Sequence, residues 1–149
     1  MTSISISHWF IAALFLAGAQ GLTVGCGKVG QDRVPVVPVD GRVAFDGKPL
    51  PGAMIVLHPK NGGSISAPAP RAHVEKDGSF RFTTYEAGDG APPGEYIATI
   101  AWYKLVNQAG DVKAGPNVLP PKYSNPKNSP WQIRVAESPT RLSPMQLRR

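Results

Sequence analysis

The 149-residue chain has one cysteine, Cys26, so no disulfide can form within it. Histidine is nearly as scarce. Only His58 and His73 follow Cys26, and neither stands in a metal-ligand spacing such as H-E-x-x-H. With no second thiol, no motif calls for a metal, and none is expected; nor is any cofactor. Charge is missing from the first 25 residues, which hold no Lys, Arg, Asp, Glu or Pro. Basic runs are missing too. The 16 basic residues outnumber the 10 acidic ones, but they are scattered singly until Arg148-Arg149. Phosphate backbones are normally met by a clustered patch or stripe, so nucleic acid is not an expected partner. After the first segment, no stretch shows helical spacing. The 16 glycines and 16 prolines count against helix interiors, Gly through backbone entropy and Pro through its missing donor. An all-β, loop-rich chain is what remains.

Catalytic motifs are absent as well. Gly62-Gly63-Ser64 lacks the G-x-S-x-G spacing of a nucleophile elbow. Asp40-Gly41, Asp46-Gly47, Asp77-Gly78 and Asp89-Gly90 are turn formers without the alternating carboxylates of a calcium loop. The chain is not expected to be an enzyme.

Residues 9–19 form an uncharged apolar run. As a helix it spans roughly 16 Å, about half of a bilayer core but the length of an export-signal core. It leads into Thr23-Val24-Gly25-Cys26. That stretch resembles the lipobox of bacterial lipoproteins, with Thr23 standing where leucine is usual. The resemblance implies a signal peptide over 1–25, cleavage before Cys26, and acylation (palmitate) of that cysteine. It further implies an exported protein anchored to a membrane of the bacterial cell envelope through lipid on Cys26. Residues 26–38, with Gly27, Gly30, Pro35 and Pro38, read as a tether.

Beyond it, period-two alternation marks strands. Val43 and Phe45 share a face before the Asp46-Gly47 turn, and 53–58 is an apolar run of strand length. Residues 72–76 and 79–83 flank Asp77-Gly78 as a hairpin that points Phe80 and Phe82 into the core. In 96–103, Tyr96, Ala98, Ile100 and Trp102 alternate with Ile97, Thr99, Ala101 and Tyr103, as in a central strand. Residues 104–130 show no periodicity and read as a long loop. Trp131, Ile133 and Val135 alternate again, and 142–147 reads as a closing strand.

Three motifs occur in order: 43–53 around Asp46-Gly47-Lys48-Pro49, then Asp77-Gly78-Ser79-Phe80, then Pro93-Gly94-Glu95-Tyr96. Together they resemble the carboxypeptidase regulatory-like domain. The resemblance implies a seven-stranded, transthyretin-like (prealbumin-like) antiparallel β-sandwich over 39–147. It also implies a non-catalytic role, as a structural or interaction module of the envelope. The alternative reading is a surface carbohydrate-binding module, so an envelope protein or a glycan is the expected partner besides the membrane. Aromatic rings are first of all core material, which suits Trp102 and Trp131. Tyr103, Lys104, Lys122 and Tyr123 fit a core less well and are the candidate ligand contacts.

Overall fold

Short alternating segments separated by glycine turns build a chain of strands. The computed structural model describes residues 33–60 and 67–149. The expected signal segment, Cys26 and most of the tether lie outside the described residues. Among the described residues the strands are β1 (Val39–Phe45), β2 (Met54–Pro59), β3 (Arg71–His73), β4 (Ser79–Arg81), β5 (Gly94–Ala101), β6 (Tyr103–Gln108), β7 (Asp111–Asn117), β8 (Gln132–Val135), β9 (Thr140–Arg141) and β10 (Met145–Leu147).

β1 is the centre of one sheet. β4 pairs with it antiparallel, matching Asp40 with Arg81 and Arg42 with Ser79. On its other edge β9 and β10 run parallel to it, Val39 opposite Thr140 and Val43 opposite Met145. The second sheet has the order β3-β2-β5-β8 and is antiparallel throughout. With β9 and β10 counted as one interrupted edge, the two sheets hold seven strand positions, an all-β sandwich. The parallel edge is the departure from a wholly antiparallel arrangement. The chain reaches it by crossing from β8 in the opposite sheet, so no hairpin dictates its direction.

The inner faces meet in one core. Val39, Val43, Phe80 and Leu147 come from the first sheet, and Ile55, Leu57, Tyr96 and Ile100 from the second, each at most 3% exposed. Burying a side chain of this size stabilises the fold by about 1.5–3 kcal/mol. Tyr96 keeps its polar end satisfied by donating its hydroxyl to the Pro92 carbonyl at 2.7 Å. The Asp46-Gly47 turn is tight because both residues take positive φ, 49° and 78°. That is the twist a two-residue hairpin prefers.

The region expected as a long loop, 104–130, instead carries the β6–β7 ribbon and a 3-10 turn at Pro121–Tyr123. Water reaches both faces of the ribbon, with Leu105 73% exposed on one and Val106 42% exposed on the other. No buried face imposes an alternation, and that is why the periodicity was missing. Asn117 pins the base, its Oδ1 accepting from the Trp102 and Leu119 amides at 2.9 and 3.2 Å.

A second correction concerns the tether, whose last residues belong to the domain. Arg33 pairs with Glu86 at 3.0 Å, and its guanidinium lies 5.1 Å from the centre of the Tyr85 ring. The Val34 amide donates to the Tyr85 hydroxyl at 3.1 Å. Val37 and Ala91 exchange two backbone hydrogen bonds of 3.0 Å.

Candidate functional site

The four expected contact residues do not form one surface. Tyr123 is 4% exposed, and its hydroxyl both donates to the Arg148 carbonyl (2.9 Å) and accepts from the Arg148 amide (3.0 Å). It is a core residue that ties down the C-terminal segment. Lys122 lies over its ring, 5.0 Å from the centroid. Tyr103, at the foot of the ribbon, is 47% exposed. Lys104 stands 5.2 Å from the centre of the Trp102 ring and lines a small cleft of ≈ 350 Å³ with Phe45, Val118 and Arg149. Trp102 and Trp131 both pack, half-buried, against the core. A flat aromatic surface for stacking a sugar is therefore not present in this cluster.

Strand pairing builds a larger site elsewhere. An open groove of ≈ 790 Å³ lies over the face where β1, β4 and β9 meet the end of β3. The inward residues of these strands, Val39, Val43 and Phe80, fill the core, so their neighbours must face outward. Asp40 lies opposite both Arg81 and Arg141, and Arg42 opposite Ser79. The bridges Arg71–Thr83 and Val74–Phe80 extend the sheet to β3, setting His73 across from Arg81. The Glu75 amide bonds the Ser79 carbonyl at 2.8 Å, which sets Glu75 beside Ser79. Two polar rows result, one of His73, Arg81, Asp40 and Arg141, the other of Glu75, Ser79 and Arg42.

Two of the three arginines are engaged. Arg141 Nε is 3.0 Å from Asp40 Oδ2, and Arg42 Nη2 is 3.1 Å from Asp77 Oδ2. Such exposed pairs contribute about 0–1 kcal/mol. Among the described residues Arg81 has no carboxylate partner. Its stem crosses Gly88, where an added Cβ would come within 2.8 Å of Arg81 Cδ. Bonds to Ser79, first its hydroxyl and then its amide, hold the Asp77 carboxyl below its ordinary pKa.

The groove wall at 83–90 is fixed by polar side chains. Asp89 accepts from the Thr84, Tyr85 and Glu86 amides at 2.7, 2.9 and 3.0 Å. Thr83 Oγ1 accepts from the Gly88 amide at 2.9 Å, and Thr84 donates to the Gly90 carbonyl at 2.7 Å. Partial burial pushes the Asp89 pKa up, but the backbone donors together outweigh it and hold the carboxyl below its ordinary range. A carboxylate depressed in the folded state stabilises fully above its unfolded pKa, and that stability is lost as pH falls through the folded value. Thermal stability should therefore drop below about pH 3.8, and Asp89→Asn should flatten that drop while costing about 1–3 kcal/mol at pH 7. Melting curves from pH 5 to pH 2.5 check this. Parallel wild-type and variant profiles would remove Asp89 as the anchor of the wall.

The two histidines stay apart. His73 is paired with Met54, four residues along β2 from His58. His58 Nε2 lies 2.9 Å from Thr99 Oγ1, and burial lowers its pKa. Sequence reasoning missed the groove because its arginines are about 40 to 60 residues apart in the chain. The one signal available was that Arg42, Ser79 and Arg81 alternate with Val43, Phe80 and Phe82, the residues expected to face the core.

No protein-family model and no curated protein matches the chain. Among solved structures it is similar to a DUF3823 family protein from Parabacteroides merdae, with 14% identity, 78% of this chain and 46% of that one covered, and a TM-score of 0.39. A candidate carbohydrate-binding protein from Pseudomonas aeruginosa matches with 12% identity, 80% and 92% coverage and a TM-score of 0.43. A 9R-lipoxygenase from Cyanothece matches with 11% identity, 76% and 16% coverage and a TM-score of 0.40. The chain thus spans less than half of the first of these proteins, and likenesses at this level do not assign it to a family.

Proposed function

We propose that this chain is a non-enzymatic, lipid-anchored binding module of the bacterial cell envelope, exported through its N-terminal segment and held by lipid on Cys26. It meets its partner through the groove over β1, β4 and β9. The observation that carries this reading is that four separate strands each present outward polar groups to one concave face. A solvated sheet face has no need of a wall, yet here the 83–90 loop is held by five side-chain hydrogen bonds. Binding rather than catalysis fits the chemistry of the face. The Ser79 hydroxyl donates to Asp77 at 2.6 Å, so it is committed to its own turn and not to a base. The ordered turn motifs that resemble the carboxypeptidase regulatory-like domain favour the same non-catalytic role.

Two measurements test the proposal. Wild-type chain expressed in bacteria should incorporate labelled palmitate, and Cys26→Ser should incorporate none. Equal labelling of the two would remove the anchor. Detergent-solubilised full-length chain should also be retained on delipidated envelope material. Ala87→Trp, which projects a ring into the groove from its exposed rim, should cut retention at least fivefold. Undiminished retention would place the contact elsewhere on the domain.

A further inference from the structure

Among the described residues, one arginine of the groove is without a carboxylate partner. Arg42 and Arg141 are paired with Asp77 and Asp40, whereas Arg81 has no carboxylate partner among the described residues. Its guanidinium offers paired N–H donors in one plane, the geometry that a carboxylate accepts in bidentate fashion. The rest of the lining limits which anion fits. Asp40 and Glu75 stand on the same face, and their charge opposes a second negative charge on a ligand. A dianion such as a phosphate monoester, or a polyanion of closely spaced phosphates, meets repulsion there. A monoanion rich in hydroxyl groups meets the reverse. Its carboxylate takes Arg81, and its hydroxyls donate to Asp40 and Glu75.

Stacking plays no part. Among the described residues Phe80 is the only aromatic residue lining the groove, and it is 3% exposed, so recognition there runs through hydrogen bonds and charge. The four strand positions from β3 to β9 span about 14 Å at the usual strand spacing, which admits a short oligomer and not just one small ion.

We infer that the groove binds a hydroxyl-rich glycan carrying a single carboxylate, with Arg81 as the residue that takes it. The inference rests on the groove being the binding face, and its test separates the two ideas. Full-length chain in detergent is titrated calorimetrically with a xylotriose bearing one glucuronic acid branch, with the same oligosaccharide methyl-esterified, with inorganic phosphate and with a short single-stranded DNA. The free acid should bind at least tenfold more tightly than the ester and than either phosphate probe. Arg81→Gln should weaken the acid at least tenfold and leave the ester unchanged. Arg81→Lys should recover only part of the loss, since a point charge replaces a fork. Arg134→Gln, on β8 of the opposite sheet, should bind like wild type. An unaltered melting temperature in Arg81→Gln shows that folding is not the cause.

Equal affinity for acid and ester, no binding of the acid at all, or no effect of Arg81→Gln would overturn the inference. Tighter binding of phosphate or DNA would overturn it in favour of a phosphate ligand. In each of these cases, retention on envelope material that still falls with Ala87→Trp leaves the groove itself standing. Retention indifferent to Ala87→Trp removes the groove as well.

Discussion

Gly90→Ala is expected to unclasp residues 33–37 from the domain and lower the melting temperature by on the order of 10 °C. Gly90 has φ +106°, and a Cβ built there would fall on the Val37 carbonyl and within 2.8 Å of Pro38 Cα. An L side chain in that backbone region costs about 1–3 kcal/mol by itself. The collision cannot be relieved from the other side, because the Gly90 amide is bonded to the Phe82 carbonyl at 3.0 Å. What can yield is the Val37 segment, with its two bonds to Ala91, each worth about 0.5–1.5 kcal/mol net. Strain and lost bonds together give roughly 2–4 kcal/mol. Hydrogen exchange at the Val37 and Ala91 amides should accelerate with the loss of stability. Gly110→Ala is the comparison. Its φ is +90° but nothing lies within 4 Å of the added carbon, so it carries strain without collision and should cost about 1 kcal/mol. A Gly90→Ala protein that melts like Gly110→Ala would mean that the clasp contributes nothing.

The clasp also bears on the proposed binding role. Residues 33–37 dock on Tyr85, Glu86 and Ala91, next to the loop whose Ala87 and Gly88 line the groove. An anchored chain that is latched there has a shorter free tether than its sequence suggests. The latch was illegible in the sequence because Arg33, Val34 and Val37 find their partners some fifty residues away. Local turn chemistry was legible. Asp46-Gly47 and Asp77-Gly78 sit at hairpin turns with positive φ at both glycines, as their backbone freedom demands. Buried strands were legible through alternation, as with Tyr96, Ala98 and Ile100. The β6–β7 ribbon was not, since no face of it is buried and Ala109, at φ 55°, gives no turn signal. Tyr123 was read as a surface contact because it follows Pro120-Pro121-Lys122, a loop-like stretch. Its burial depends on the C-terminal segment folding over it. The groove was hidden for the same reason, its parts being adjacent only after strands pair.

Phe82→Ala is the substitution expected to destabilise the core most, by roughly 3–5 kcal/mol. Phe82 is fully buried just past the end of β4, and its amide holds the Val39 carbonyl at 2.9 Å. Its ring meets that of Phe80 edge-on, at 5.5 Å and 78°, a geometry worth about 0.5–1.5 kcal/mol beyond area burial. Removing the ring leaves a cavity between two sheets that are bridged along this same edge, so collapse into the space is restricted. Against a total stability of about 5–15 kcal/mol, the loss is a large share of what the domain has. Phe82→Leu fills most of the volume and should cost less than about 1.5 kcal/mol. Urea titrations of the two variants separate a packing role from a purely local backbone role, which would make them equal. Phe80→Ala supplies the link to the groove. The Phe80 ring packs on the core side of Gly41, with its Cζ 2.7 Å from where a Cβ would stand, and so backs the strand that carries Asp40 and Arg42. Its removal should lower stability by a comparable amount and loosen β1 beneath those side chains. Glycan affinity should then fall in Phe80→Ala under conditions where both variants remain folded, and hold in Phe82→Ala. Equal affinities in the two would mean that the backing of β1 plays no part in binding.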